Sequence, residues 1–244
     1  MNTPDEKAFF LEHGYLHARG VLSPEHLEKT RAEFDRVWDA EGPPCSQHKL
    51  LKHRHFIELI EHPPILDRHA AIFGRQTQLL QYDFLRQGPF KPGTEIKPGM
   101  ERSWHRDFTQ AGDYPLSINT ILYLDEMTEE RGPTRVVPGS HRGMGWPPKE
   151  KRLEPLPGEV AVHAQPGDAV FINSAIWHSG GLNKTDGLRR GIYLYYGYWW
   201  LKRYESHIAL PWQAFENASE VRLRLLGVKM PDRDVHMYDE TLPF

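Results

Sequence analysis

The chain has 244 residues, 39% of them hydrophobic, a net charge of −3 and a single cysteine. That length suits one large domain with a sizeable core, and the slight acidity argues against nucleic acid as a partner. No run of about 18 apolar residues exists to span a membrane, the opening Met1-Asn2-Thr3-Pro4-Asp5-Glu6-Lys7 lacks the basic-then-apolar order of a secretory signal, and Cys45 has no partner for a disulfide, so a cytoplasmic protein is expected.

In chain order, residues from about 4 to 13 read as a helix with Phe9, Phe10 and His13 along one face, stopped by Gly14. Tyr15 to Leu22 alternates like a strand. Ser23-Pro24 starts a second helix, a capping hydroxyl followed by proline at the first helical position. Leu27, Arg31, Phe34 and Trp38 recur along it until Gly42-Pro43-Pro44. The run Gln47 to His55 holds three histidines among basic neighbours that repel a cation; it reads as a loop, solvated or in contact with substrate. A third helix is predicted over about 63–73. Strands are then predicted at about 77–86, 102–108, 116–124, 134–137, 159–163, 168–173 and 188–200, separated by Gly, Pro and Asp turns, with 87–100 a loop. Helical residues return at about 212–227. The chain thus divides into mostly helical support (1–75), a β core (76–200) and a helical C-terminal segment (201–244) of one domain. This order predicts a mainly β fold with flanking α-helices, a double-sheet jelly roll.

Four residues carry the chemistry. His105 and Asp107 are two apart on a predicted strand, so both side chains point to one face. With the distant His178 they make the two-histidine, one-carboxylate set that holds non-heme Fe(II) and leaves positions open. About one His-x-Asp pair is expected by chance in such a chain, so the surroundings must decide. His26-x-Glu28 is a decoy, because on a helix residues two apart diverge. Arg189, eleven residues after His178, could clamp a carboxylate with its forked guanidinium. On a strand Arg189 and its rival Arg190 face opposite sides, and the spacing favours Arg189. Tyr123 and Thr120, on the strand after the first motif, could add hydroxyls to the same carboxylate. The aromatic run Tyr193-Leu194-Tyr195-Tyr196-Gly197-Tyr198-Trp199-Trp200 is either a doubly buried core strand or, on one face, a substrate wall; Trp104 and Phe108 carry the same ambiguity. Arg131, Arg135 and Arg142 could meet an anionic substrate or form a solvated face. His141 is expected to be structural, and His163 is read as a satisfied histidine on its strand.

Several stretches together resemble the phytanoyl-CoA dioxygenase family of Fe(II)- and 2-oxoglutarate-dependent oxygenases. They are Phe10-Leu11-Glu12-His13-Gly14-Tyr15 through Ser23; Lys97-Pro98-Gly99 with Trp104-His105-Arg106-Asp107; Gly132-Pro133-Thr134-Arg135-Val136-Val137-Pro138-Gly139-Ser140-His141; and Gly167-Asp168 with His178-Ser179-Gly180-Gly181-Leu182-Asn183 through Arg189. The resemblance implies a double-stranded β-helix of the cupin-like kind, with His105, Asp107 and His178 as iron ligands and Arg189 on the distal carboxylate of 2-oxoglutarate. It also implies O2 as co-substrate. Ser103 stands where proline is common, and Gly180 where a hydroxyl is common, with Ser179 one place earlier as the candidate hydroxyl for 2-oxoglutarate. Halogenating relatives lack the carboxylate ligand, so Asp107 predicts oxygenation instead. Two rival readings are an iron dioxygenase that does not use 2-oxoglutarate, which would need no Arg189, and a non-catalytic jelly-roll binding protein. The expected outcome is hydroxylation, or another oxidation, of a small molecule. The aromatic content leans toward a ring-bearing natural product, and the family name alone suggests a coenzyme A ester. The oligomeric state is open.

Overall fold

The computed structural model describes residues 1–230 apart from Asn2, Pro92, Gln110, Ala111 and Met144, so residues 231–244 of the predicted C-terminal segment lie outside the described residues. Helix α1 (Pro4–His13) is capped by the Thr3 hydroxyl, which accepts from Glu6 N, and ends at Gly14 in the left-handed region. Strand β1 (Tyr15–Ala18) follows, shorter than its sequence pattern suggests. Helix α2 (Pro24–Glu41) is capped by Ser23 and buries Leu27, Thr30, Phe34 and Val37. The histidine-rich stretch forms two short helices, α3 (Gln47–Leu50) and α4 (Arg54–Leu59), where a loop is predicted. Leu50, Phe56, Ile57 and Leu59 give it enough apolar surface to pack. Helix α5 (Pro63–Phe73) stops at Gly74.

The strands are β2 (Thr77–Gln87), β3 (Ser117–Tyr123), β4 (Thr134–Val137), β5 (Val160–Val162), β6 (Ala169–Asn173), β7 (Trp177–Ser179) and β8 (Arg189–Tyr198). Sequence reading missed β7, three residues long, and extended a strand over 102–108, where only an isolated bridge between His105 and His178 forms. Of the predicted C-terminal helix, the described part is a short 3-10 turn at Trp212–Phe215 and helix α6 (Glu220–Leu225).

Two antiparallel sheets result, a five-stranded one in the order β1-β6-β3-β8-β2 and a three-stranded one in the order β5-β4-β7. This is the jelly roll, with β1 from the N-terminal segment serving as an edge strand of the larger sheet. Strand alternation gives that sheet two apolar faces. Outward, Ile118, Leu122, Phe171, Ile192, Leu194 and Tyr196 meet the helices through Phe10, Phe34, Phe56, Ile65 and Phe73. Inward, Ile121, Tyr123, Val170 and Ile172 meet Val136, Val162 and Ile176 from the smaller sheet and the turn before β7. The aromatic run of β8 is divided by the same alternation: Tyr196 points to the helices, Tyr193 to the inner core.

Close contacts fix the smaller sheet and the turn after β4. A side chain on Gly132 would sit 2.5 Å from the carbonyl carbon of Gly181, so the turn before β4 can touch the turn after β7 only as Gly on Gly. The proline-glycine-serine-histidine turn makes the second set. His141 is buried and its Nε2 lies 3.1 Å from the Leu11 carbonyl. The Ser140 hydroxyl accepts from Trp177 N at 2.8 Å, which fixes the start of β7 one residue before His178.

Candidate active site

The two predicted histidines face each other across the bridge that joins the 105 segment to β7. His105 N donates to the His178 carbonyl (3.0 Å) and His178 N to that of His105 (2.9 Å). Both rings are oriented by backbone: His105 Nδ1 lies 2.9 Å from the Ser103 carbonyl and His178 Nδ1 lies 3.1 Å from that of Ile176. A ring nitrogen bonded to a carbonyl carries the proton, which leaves Nε2 as the free lone pair on each ring. Those two Nε2 atoms lie 3.9 and 3.7 Å from Asp107 Oδ1, and the donor atoms of all three residues lie within 4.8 Å of one another. Among the described residues this is the one such group.

Asp107 is positioned by its backbone: the amides of Asp107 and Phe108 both donate to the Ser174 carbonyl, at 2.8 and 2.9 Å. Its Oδ2 is buried and has no hydrogen-bond partner. Between the two ligand candidates, Arg106 points the other way and donates to the carbonyls of Ser140 and Gly143, tying the 105 segment to the 139–143 turn. Sequence reading missed this role, although strand alternation alone sets Arg106 opposite its neighbours. Burial pushes the His178 imidazole below its usual pKa, so it stays neutral, the form that binds metal. The His105 side chain is 41% exposed against 6% for His178, so the cluster opens to solvent on the His105 side.

Arg189 and Arg190 part company on β8. Arg190 lies on the helix side, with Nε and Nη2 donating to both oxygens of Asp125 (3.1 and 2.7 Å) and Nη1 to Asp35 (2.7 Å). Arg189 is 2% exposed and points inward, and its Nε and Nη2 have no hydrogen-bond partner. No carboxylate of a described residue pairs with it. Burial alone would lower its pKa, but Tyr193 and Tyr123 outweigh that and hold the guanidinium charged. Tyr193 folds back over Gly191, its ring carbon 3.4 Å from where a Gly191 Cβ would stand. The Tyr123 hydroxyl bonds the Thr134 hydroxyl across the gap between the sheets, and burial pushes it up to about 12. Thr134 was not singled out from sequence, because nothing in its residue type separates a pocket hydroxyl from an ordinary strand threonine.

The other predicted positions divide. Tyr195 lies on the inner face within electrostatic reach of Asp107, and with Phe108 it flanks Tyr204, at ring distances of 5.9 and 6.3 Å. Thr120 must be corrected: it shares a face with Ile118 and Leu122, and its hydroxyl lies 2.8 Å from His69 Nε2, on the helix side. Ser179 is corrected as well. Its hydroxyl accepts from Ser103 N (2.8 Å) and donates to the Gly180 carbonyl (2.9 Å), so it is consumed by backbone. Trp104 is fully buried, its indole donating to the Glu154 carbonyl at 2.8 Å, and it is not a substrate wall. Arg135 is tied to Glu159 and Glu129 on the outside of the small sheet. Arg131 and Arg142 are likewise engaged, Arg131 with Thr185 and the Glu126 carbonyl and Arg142 with Asp113. The histidines of the 47–55 stretch do not converge: His48 meets Ser46 and Glu205, His53 meets Glu41, and His55 meets Thr30. His163 pairs with Glu129.

The family profile of phytanoyl-CoA dioxygenase (PhyH) matches residues 10–191. Dioxygenase trt7 of Aspergillus terreus is 26% identical over 92% of this chain and 84% of its own length. Dioxygenase cdmA of Talaromyces verruculosus is 31% identical over 54% of this chain, which spans about half (47%) of that relative. In fold, the chain is similar to HygX from Streptomyces hygroscopicus with nickel and 2-oxoglutarate bound (TM-score 0.69, 19% identity, 82% of this chain and 89% of that one). It is also similar to the epimerase SnoN in complex with Fe3+, alpha ketoglutarate and nogalamycin RO (TM-score 0.64, 21% identity, 79% and 82%). The profile covers well over half of the chain and includes both histidines, the aspartate and Arg189; the chain belongs to the phytanoyl-CoA dioxygenase family.

Proposed function

We propose that this chain oxidises an unactivated C–H bond of a ring-bearing small molecule, with His105, Asp107 and His178 holding the iron and Arg189 holding 2-oxoglutarate. Non-heme iron and 2-oxoglutarate dependence comes with the family, and the chain is a dioxygenase of that kind. Iron(II), 2-oxoglutarate and O2 together supply the oxidising power, with succinate and CO2 as co-products.

The observation that carries the assignment is Arg189. A buried cation without a counter-ion costs several kcal/mol, and a buried donor without an acceptor about 1–3 kcal/mol. A dicarboxylate whose far end meets the two free N–H groups of Arg189 removes both costs. Tyr193 and Tyr123 orient that guanidinium, while the carbonyls of Ser103 and Ile176 keep both Nε2 atoms available to metal. A carboxylate at position 107 completes the ligand set and leaves no room for halide, so oxygenation is expected even in chloride buffer. The neighbours crystallised with 2-oxoglutarate, and in SnoN with nogalamycin RO, support a natural product as the substrate class. Cys45 is buried and free, which suits a reducing compartment, and a cytosolic location is part of the proposal. No helix among the described residues is long and apolar enough to cross a membrane.

Succinate release against a panel of polycyclic natural products tests the reading. Formation that requires Fe(II), 2-oxoglutarate and O2 together, with a product mass raised by one oxygen or lowered by two hydrogens, is expected. Substrate oxidation that proceeds without 2-oxoglutarate, or a chlorinated product, contradicts it.

A further inference from the structure

Aspartate is disfavoured in strand interiors, yet Asp83 stands in the middle of β2 between Tyr82 and Phe84, both of which are buried against the helices. Alternation therefore turns Asp83 to the inner face, opposite Tyr193 in register. It is half-buried there, as are Gln81, Tyr193 and Tyr195, so this end of the inner face is open. The segment before α3 lines its other flank: Phe84 N donates to the Cys45 carbonyl (2.9 Å) and Ser46 bridges to Asp83. Ser46 in turn donates to Glu205 at 3.0 Å, and His48 Nδ1 lies 3.3 Å from the same carboxylate. Tyr204, one residue before Glu205, is held across the bulge in β2 by its amide on the Leu80 carbonyl (3.1 Å) and stands between Tyr195 and Phe108.

Two carboxylates thus act on Tyr195, Asp107 of the metal cluster and Asp83. Asp83 differs from Asp107 in having no metal to serve. Its partner is the neutral Gln81 amide, and among the described residues no lysine or arginine lies within ion-pair distance of Asp83 or Glu205. Burial, with Glu205 nearby, raises the Asp83 carboxyl to about 6, which still leaves it ionised at neutral pH. On the same inner face Asn119, paired in register with Tyr195 and 2% exposed, has a side-chain oxygen with no hydrogen-bond partner. The open end of the cavity therefore offers acceptors and aromatic faces; Arg203 acts on Glu205 and His48 on both carboxylates, but neither makes an ion pair with Asp83. A partly desolvated carboxylate beside aromatic rings favours a positively charged donor.

We propose that Asp83 is a specificity-determining residue that binds a protonated amine on the substrate, while the ring skeleton lies along Tyr195, Tyr204 and Phe108. This rests on the oxygenase reading, and its test keeps the two apart. Phenethylamine and phenethyl alcohol serve as probes, since they differ in the ammonium group. Both are titrated by calorimetry into the anaerobic Fe(II)–2-oxoglutarate enzyme at about pH 8, where the amine is protonated and Asp83 ionised. The amine is expected to bind at least about tenfold more tightly. Asp83→Asn is expected to erase the preference, and Asp83→Glu to keep it. Equal binding of the two probes, no saturable binding of the amine, or a preference that survives Asp83→Asn overturns the proposal. Binding of 2-oxoglutarate is measured in the same proteins. If the wild-type Fe(II) protein does not bind it, the oxygenase reading fails and this inference with it; if it binds while the amine preference is absent, the inference alone fails.

Discussion

The two faces of the five-stranded sheet use similar residues for opposite ends. On the helix side, polar groups find partners inside the protein: Thr120 with His69, the Tyr196 hydroxyl with the Ile60 carbonyl at 2.8 Å, and Arg190 with Asp125 and Asp35. Exceptions there are the Tyr82 hydroxyl, His69 Nδ1, Asp35 Oδ1 and both polar side-chain atoms of Gln47. On the inner side, Arg189 Nε and Nη2 and Asn119 Oδ1 are buried and unpartnered, as is Asp107 Oδ2 across the cavity. Folding alone would select against such groups, each costing about 1–3 kcal/mol. The two guanidiniums carry the difference: on the helix side the chain itself neutralises Arg190, and on the inner side Arg189 is left for what the cavity binds.

Substitutions on the two faces should therefore separate activity from stability. The largest effect is expected at the metal cluster. Asp107→Ala should abolish stoichiometric iron binding and lower succinate release by more than about 100-fold, beyond what loss of an outer partner costs. The melting temperature of the metal-free protein should stay within about 3 °C, under roughly 1 kcal/mol at this size. Arg189→Ala comes next: the KM for 2-oxoglutarate should rise by about 10–100-fold, the value of charge-assisted hydrogen bonds. Arg190→Ala reverses the pattern. It strands Asp125 and Asp35 and should cost about 2–3 kcal/mol by urea denaturation, somewhat less than a fully buried pair, with the KM for 2-oxoglutarate unchanged. Thr120→Val should cost about 1 kcal/mol and leave that KM untouched, whereas a pocket role for Thr120 would raise it.

A pH dependence on the helix side separates stability from the site in another way. His55 is buried beside Thr30, and burial, with lesser contributions from His26 and Lys29, lowers its pKa to about 4. The unfolded chain, with an ordinary histidine pKa near 6.5, then binds more protons than the folded one between those values. This stability is fully present above about pH 6.5 and declines as the pH falls toward 4. The melting temperature of wild type should drop across that window more steeply than that of His55→Gln; parallel curves would remove His55 as the cause.

Much of this division was legible in the sequence because alternation is a local rule. It set Arg189 against Arg190 and brought His105 and Asp107 to one face. Caps and glycines marked α1, α2 and α5 for the same reason. The same rule put Thr120 and Tyr123, three apart on one strand, on opposite faces, so both could not meet one carboxylate; only which face is the inner one is a tertiary fact. Ser179 and Trp104 failed differently: their polar atoms satisfy backbone groups from segments far away in the chain, Ser103 and Glu154. Asp83 was overlooked although its signal was present, an aspartate between two aromatic residues in a strand. The helices α3 and α4 were hidden by charge, since His48, Lys49, Lys52, His53 and Arg54 outweigh their apolar neighbours by eye but not in packing.

Anaerobic titration of the Fe(II) protein with 2-oxoglutarate, followed by the visible metal-to-ligand charge-transfer band, reads out directly whether Arg189 holds the co-substrate. Wild type should give a saturable band, with an unchanged midpoint in Arg190→Ala and Thr120→Val and a midpoint at least about tenfold higher in Arg189→Ala. A band that saturates identically in Arg189→Ala, or one displaced by Arg190→Ala instead, would contradict that role.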